Sequence, residues 1–318
     1  MFTIDGTMNE AIQTAAANGG ANLKFVLDNG VRVETSYATS PAARMVAANG
    51  SATWGNSTSG NTAVVTGTHV FEAPSPGLDD LFSLARTAGI KSAFSGGDDN
   101  YRIYTTPDFE QSDSSATDEV VVQRAVGYLK NEGVRLLRVH LQRIRDDWTG
   151  PAGMTNPSST YIVHLLQNDM LFGTIIQALK DMGVWEYSYL VLNADHGMGT
   201  TSESAHTPDQ LPSWKAFMAF YGPGLKKGAT IPYGELPDIG VTVARFLGLP
   251  PLKGHTAANV NLAVKGTTGV YLSNLLQGAP ADLPTHPKYI ERYLNENTYP
   301  NMGSDFIGYR DAMYRLIR

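Results

Sequence analysis

Hydrophobic and polar positions follow two rhythms along this chain, and the rhythms alternate. In YIVHLLQNDMLFGTIIQALK, the residues Ile162, Leu165, Leu166, Ile175, Ile176 and Leu179 recur at helical spacing. Ser158 or Ser159 can cap the start of this helix, and Gly183 its end. Residues 78–88 (GLDDLFSLART), 117–131 and 238–248 read as further helices, the second closed by Gly133. Between them lie short runs of strand character: KSAF at 91–94, RLLRVHL at 135–141, YSYLVLN at 187–193 and AFMAFYG at 216–222. Phe2-Thr3-Ile4 reads as the end of another strand. Strands alternating with helices predict an α/β fold on a mostly parallel sheet. Residues 34–62, rich in Ser, Thr, Ala, Gly and Asn, and residues 95–118, with GGDD and DSSATD, read as loops. Long loops in a compact α/β domain often carry function. The Pro- and Asn-rich stretch 266–303 reads as a surface wrap, and the final YRDAMYRLIR as a docking helix.

Composition narrows the chemistry. The formal net charge is −6 and no basic block stands out, which argues against binding a nucleic-acid duplex through its backbone. A small anionic substrate stays open, because a bound metal can reverse the local field. The chain has no cysteine, which removes disulfides, thiolate zinc sites and cysteine nucleophiles together. No apolar run approaches the roughly 20 residues of a membrane span. The first strand begins abruptly and no signal peptide is visible. This reads as a start downstream of a removed leader or a cloning boundary, and with a removed leader a periplasmic or extracellular location is favoured. Nothing bears on oligomeric state.

Open parallel sheets bind ligands at the carboxyl ends of their strands. Here three strand-like runs each lead to acidic residues. Phe2–Ile4 leads to Asp5-Gly6, the run ending at Leu141 leads to Asp146-Asp147, and the run ending at Asn193 leads to Asp195-His196-Gly197. Neighbouring parallel strands would bring these carboxylates to one edge, where a divalent cation is the usual relief for their repulsion. Imidazole beside carboxylate suits zinc or manganese better than calcium. His140, inside a strand, and His164, beside apolar helix positions, read as packing or hydrogen-bonded residues.

Phe-Thr-Ile-Asp-Gly at the start, Ala-Asp-His-Gly-Met at 194–198, and His206-Thr207 followed by Pro and a strand together resemble the alkaline phosphatase superfamily. The phosphodiesterase, nucleotide pyrophosphatase and phosphonoacetate hydrolase branch is most similar, over roughly residues 2–255. The resemblance implies a three-layer α/β sandwich, with a catalytic domain at 1–265 and a C-terminal extension at 266–318 packing on it. It implies a metal-dependent phosphate-ester hydrolase with a serine nucleophile and a phosphoseryl intermediate. The family's nucleophile opens a helix at a fixed distance before a Val-Thr-Gly. Counting back nine residues from Thr66 gives Ser57, with Thr58 as the alternative. Asn61, one helical turn on, matches an Asn that can hold a phosphoryl oxygen. Sulfatases of the superfamily need Cys or Ser followed by x-Pro-x-Arg at this place, and Ser-Thr-Ser-Gly-Asn has neither Pro nor Arg.

The resemblance also implies two metals, zinc by family habit, with Mn, Mg or Ca as options. One is expected on Asp5, Ser57, Asp195 and His196. The other needs an Asp, a His four residues later and a downstream His, for which His206 fits. The middle pair departs from the pattern, because alignment on Gly150-Pro151 sets Arg143 at the Asp position and Asp147 at the His position. The second site can therefore use Asp147, His206 and one of Asp146 or His255, or be weak, or be replaced by the charge of Arg143 or Arg145. The same departure leaves open a degenerate, non-catalytic binding protein. A phosphomutase or sulfatase relative ranks lower.

Overall fold

The computed structural model describes residues 1–38, 44–46, 52–54, 56–68, 78–97, 107–199, 211–254, 269–279, 289–293, 306–310 and 315–317. Its strands are β1 (Phe2–Ile4), β2 (Val31–Tyr37), β3 (Arg44–Val46), β4 (Ala52–Trp54), β5 (Ser92–Gly96), β6 (Phe109–Ser112), β7 (Leu136–Leu141), β8 (Leu190–Asn193), β9 (Met218–Tyr221), β10 (Ala229–Glu235), β11 (Tyr289–Tyr293), β12 (Phe306–Arg310) and β13 (Arg315–Ile317). The helices are α1 (Asn9–Ala17), α2 (Ala21–Asn29), α3 (Asn56–Thr66), α4 (Leu81–Thr87), α5 (Asp118–Glu132), α6 (Ala152–Thr155), α7 (Thr160–Asp181) and α8 (Leu236–Phe246).

Eight strands form one sheet in the order β10-β2-β9-β8-β1-β7-β5-β6. Every strand in it but β9 runs the same way, which makes the sheet mixed but mostly parallel. Helices cover both faces. One layer holds α1, α2, α5, α6 and α7, which pack on one another, and the other holds α3, α4 and α8. The expected α/β sandwich with a mostly parallel centre is therefore present.

Strand parity sorts the central residues between these layers. In register, Phe2 and Ser95 both lie beside Val139, whereas Thr3 and Gly96 both lie beside His140. Phe2 meets Phe172 of α7 at 5.0 Å between ring centroids, and Ser95 Oγ donates to the Val121 carbonyl of α5 at 2.7 Å. Arg138 and His140 have the opposite parity, so they face the α3–α8 layer.

The periodic segments formed where expected. Ser159 caps α7, accepting from the Ile162 N–H at 3.2 Å, and Gly183 follows its end at φ 71°. Thr117 caps α5 and Gly133 closes it in the left-handed region. Three expectations differ. The stretch 34–62 contains β2's end, the β3–β4 hairpin and most of α3, although its Ser, Thr, Gly and Asn are weak helix formers. Tertiary packing explains α3, because a Cβ on Gly60 would fall 1.9 Å from the Asp195 carbonyl oxygen and one on Gly240 of α8 would fall 2.9 Å from the Val64 carbonyl. The loop expected at 95–118 contains β6. Of the expected C-terminal helix, residues 309–310 and 315–317 are described and lie instead in an antiparallel sheet, β11-β12-β13. A ten-residue helix has little intrinsic stability, and Phe, Ile and Tyr favour a strand ladder. Residues 269–279 pack on α8, with Val270 N–H donating to Asp238 Oδ1 at 2.9 Å and Leu272 and Leu275 buried.

Candidate metal centre and active site

The site forms at the carboxyl edge of the three central strands. Asp5 follows β1, and its N–H extends the ladder to the Leu141 carbonyl of β7 at 2.9 Å. Gly6, at φ 62°, turns the chain so that its N–H reaches Asp195 Oδ1 at 3.2 Å. A side chain at Gly6 would also strike Met198 Sδ, 2.5 Å from the Cβ position. Asp195 and His196 follow β8. Asp5, His140, Asp195 and His196 are all fully buried.

Asp5, His140 and Asp195 each place a potential ligand atom within 4.8 Å of the others. His196 Nε2 lies 3.2 Å from Asp5 Oδ1 and 3.8 Å from Asp195 Oδ1, and His140 Nε2 lies 3.5 Å from Asp195 Oδ2. His196 Nδ1 is 2.6 Å from the Gly197 carbonyl, which can only accept, so Nδ1 carries the proton and Nε2 faces the carboxylates. Burial opposes charging His196, but the Asp195 and Asp5 carboxylates outweigh it and hold its pKa up at about 9. Burial would likewise raise Asp195. The two imidazoles and the Gly6 N–H outweigh that and hold it well below the usual carboxylate range. Two buried carboxylates that draw a proton onto an imidazole whose other nitrogen is fixed by a carbonyl form a donor set that fits a divalent cation.

A further layer lies behind these residues on the α3 side. Asn61 Nδ2 donates to Asp195 Oδ2 at 2.8 Å. Arg138, buried in β7, donates through Nη2 to Asn61 Oδ1 and stands over the Phe94 ring at 5.8 Å. Thr3 Oγ1 donates to Asn193 Oδ1 at 3.3 Å, joining β1 and β8 just beneath the site.

The expected residues therefore divide. Asp5, Asp195 and His196 come together. Asn61 is adjacent, but its side chain lies between Arg138 and Asp195. Ser57 falls in the first turn of α3, with its side chain outside the described residues. Arg143 turns away, donating to the carbonyls of Ala116 and Ser115 at 3.2 and 3.3 Å. Arg145 approaches instead, with Nη1 3.8 Å from Asp5 Oδ2. Asp147 pairs with His164 Nδ1 at 2.5 Å and is not gathered with Asp5, His140 and Asp195. His206 and His255 lie outside the described residues. Sequence reasoning missed His140 and Arg138. The available signal was their i, i+2 spacing in a strand otherwise wholly apolar, which sets both on the face that α3 covers.

The mostly parallel eight-stranded sheet with helices on both faces is an alkaline phosphatase-like fold, shared with the structural neighbours. It superimposes on the phosphonate monoester hydrolase of Agrobacterium radiobacter with a TM-score of 0.70, covering 100% of this chain and 86% of that one at 12% identity. Murine ectonucleotide pyrophosphatase/phosphodiesterase 5 matches at a TM-score of 0.56, over 80% of this chain and 96% of that one, also at 12% identity. A putative sulfatase of Bacteroides thetaiotaomicron matches at 0.65, over 99% and 81%, at 14% identity. At such identities the likeness is one of fold. In sequence, the phosphopentomutases of Edwardsiella ictaluri and Thermotoga petrophila are 40% identical over 70 residues and 32% identical over 113. Those stretches are 22% and 35% of this chain but only 16% and 26% of the two enzymes. No protein-family model matches the chain. These structural neighbours are enzymes of the superfamily, hydrolases and a sulfatase among them.

Proposed function

We propose that this protein is a metal-dependent hydrolase of phosphate esters, with Ser57 as nucleophile. The observation that carries the reading is the buried cluster of Asp5, His140, Asp195 and His196, joined through Asn61 to the helix whose first turn bears Ser57. A divalent cation bound there, zinc or manganese by the donor set, polarises phosphoryl oxygens and lowers the pKa of a nearby hydroxyl. The chain's own residues do the rest. Ser57 stands at the positive end of the α3 dipole, which favours its ionised form. Its oxygen forms a new bond to phosphorus while the ester bond breaks, and the departing alkoxide takes a proton from water. A second water then cleaves the phosphoserine and restores the serine. Asn61 keeps Asp195 oriented, and the Gly197 carbonyl keeps His196 turned inward.

Ser57→Ala tests the assignment. Turnover of p-nitrophenyl phosphate and bis-(p-nitrophenyl) phosphate should fall by about 10³-fold or more while metal content stays at the wild-type level. Full activity in that variant would remove Ser57 from the mechanism. The partial likeness to phosphopentomutases supports a second reading, in which the phosphoryl group passes to a sugar hydroxyl instead of water. Supplying ribose 1-phosphate separates the two, because release of inorganic phosphate supports the hydrolase and ribose 5-phosphate supports the mutase.

A further inference from the structure

The 3-10 segment Arg143–Asp147 follows β7, brings Arg145 beside Asp5, and is tied down on both sides of Arg145. Upstream, Arg143 is fastened to the carbonyls of Ser115 and Ala116, and Ile144 is buried. Downstream, Asp147 holds His164 Nδ1, and His164 Nε2 lies 3.2 Å from Asp118 Oδ2. Next along, Trp148 packs edge-on against Tyr161, with 5.3 Å between ring centroids. The Tyr161 hydroxyl donates to the Gly6 carbonyl at 3.1 Å, one residue beyond Asp5. These ties fix the segment's height over the sheet edge. Arg145, between them, reaches toward Asp5 Oδ2 through Nη1 and toward the exposed Asp146 Oδ1, 3.5 Å away, through Nη2, and its side chain stays 30% exposed, so a phosphoryl group would take the place of Asp146 on the fork.

The two oxygens of Asp5 thus look in different directions. Oδ1 faces His196 within the candidate metal centre, and Oδ2 faces the Arg145 guanidinium. Asp147, the carboxylate that the two-metal pattern would recruit, is already engaged by an imidazole that also holds Asp118. Withdrawing it would strand that ring and a nearly buried carboxylate. A guanidinium beside Asp5 also repels a second divalent cation. Its planar fork matches two oxygens of a phosphoryl group.

We infer that this site takes a single divalent cation, and that Arg145 supplies the second positive charge by binding the phosphoryl oxygens of the substrate. The inference rests on the hydrolase reading above. The full chain, loaded with zinc and dialysed, should hold one zinc ion per chain by elemental mass spectrometry. Two ions would overturn this inference and leave the hydrolase standing, whereas none would overturn both. Calorimetric titration of the zinc-loaded protein with inorganic phosphate gives the second readout. Arg145→Ala should weaken phosphate binding by at least about tenfold. Arg145→Lys should recover part of the loss, and both variants should keep at least one zinc ion per chain and the wild-type melting temperature. If Arg145→Ala binds phosphate as wild type does, Arg145 has no such role. Retained activity in Ser57→Ala would count against the nucleophile alone.

Discussion

Arg138 carries a positive charge into the middle of the molecule with no carboxylate in direct contact among the described residues. Burial lowers its pKa to about 10, and Asp195 pulls in the other direction. Asn61 makes this tolerable, because its carbonyl end accepts from Arg138 and its amide end donates to Asp195. Opposite charges are thereby linked through a neutral dipole, and Asp195 is held in one orientation. Asn61→Ala breaks both bonds at once and strands two buried charged groups. Loss of stability of about 1–3 kcal/mol is expected, by urea denaturation monitored by circular dichroism, together with weaker zinc binding. A variant with wild-type stability and zinc affinity would show that the link is incidental. None of this was readable along the chain. Asn61 suggested a contact to substrate, whereas its partners lie 77 and 134 residues away, in β7 and just after β8.

Among elements, His164 is the joint that ties α5 and α7 to the Arg143–Asp147 segment. Its pKa is raised, foremost by the hydrogen bond to Asp118 against the opposing effect of burial, with Asp147 adding to it. Glu119 and Arg143 also lie within electrostatic reach of this corner. A folded-state pKa above the unfolded value of about 6.5 means that the protonated ring favours folding. The contribution is complete below the unfolded pKa and is lost as pH rises through the folded one. The urea midpoint of the wild type should therefore decline from near pH 6 into the alkaline range, and His164→Gln should flatten that slope. Identical slopes for both proteins would rule out His164 as the source. The elements themselves were largely legible. Helices α5 and α7 and strands β7 and β8 announced themselves because apolar periodicity is a local property of the chain. Helix α3 did not, because what stabilises it is the close approach of Gly60 to Asp195 and of Gly240 to its last turns, and neither is local.

At the scale of the whole molecule, the candidate metal cluster joins the three central strands β8, β1 and β7 through residues within them or just after them. A cation that binds only the folded state stabilises it by about 2.7 kcal/mol when present at a hundred times its dissociation constant. Zinc should accordingly raise the melting temperature by several degrees and excess EDTA should reverse the gain. A melting curve indifferent to both would argue that the cluster is not a metal site. Among the described residues no helix is long and apolar enough to cross a membrane.

The sequence by itself determined the α/β alternation and the meeting of Asp5, Asp195 and His196 at one sheet edge. Each of those lies within three residues of the end of a buried strand, and the end of a buried parallel strand is a place that local pattern predicts. Tertiary structure alone decided which residues complete the site. His140 and Arg138 enter it because strand parity and the packing of α3 select their face of the sheet. Arg145 rather than Arg143 approaches Asp5 because the phase of a short 3-10 turn is set by its ties at both ends. Asp147 is taken by His164 because α7 packs beside it. These are consequences of where distant segments dock, and no periodicity along the chain records them.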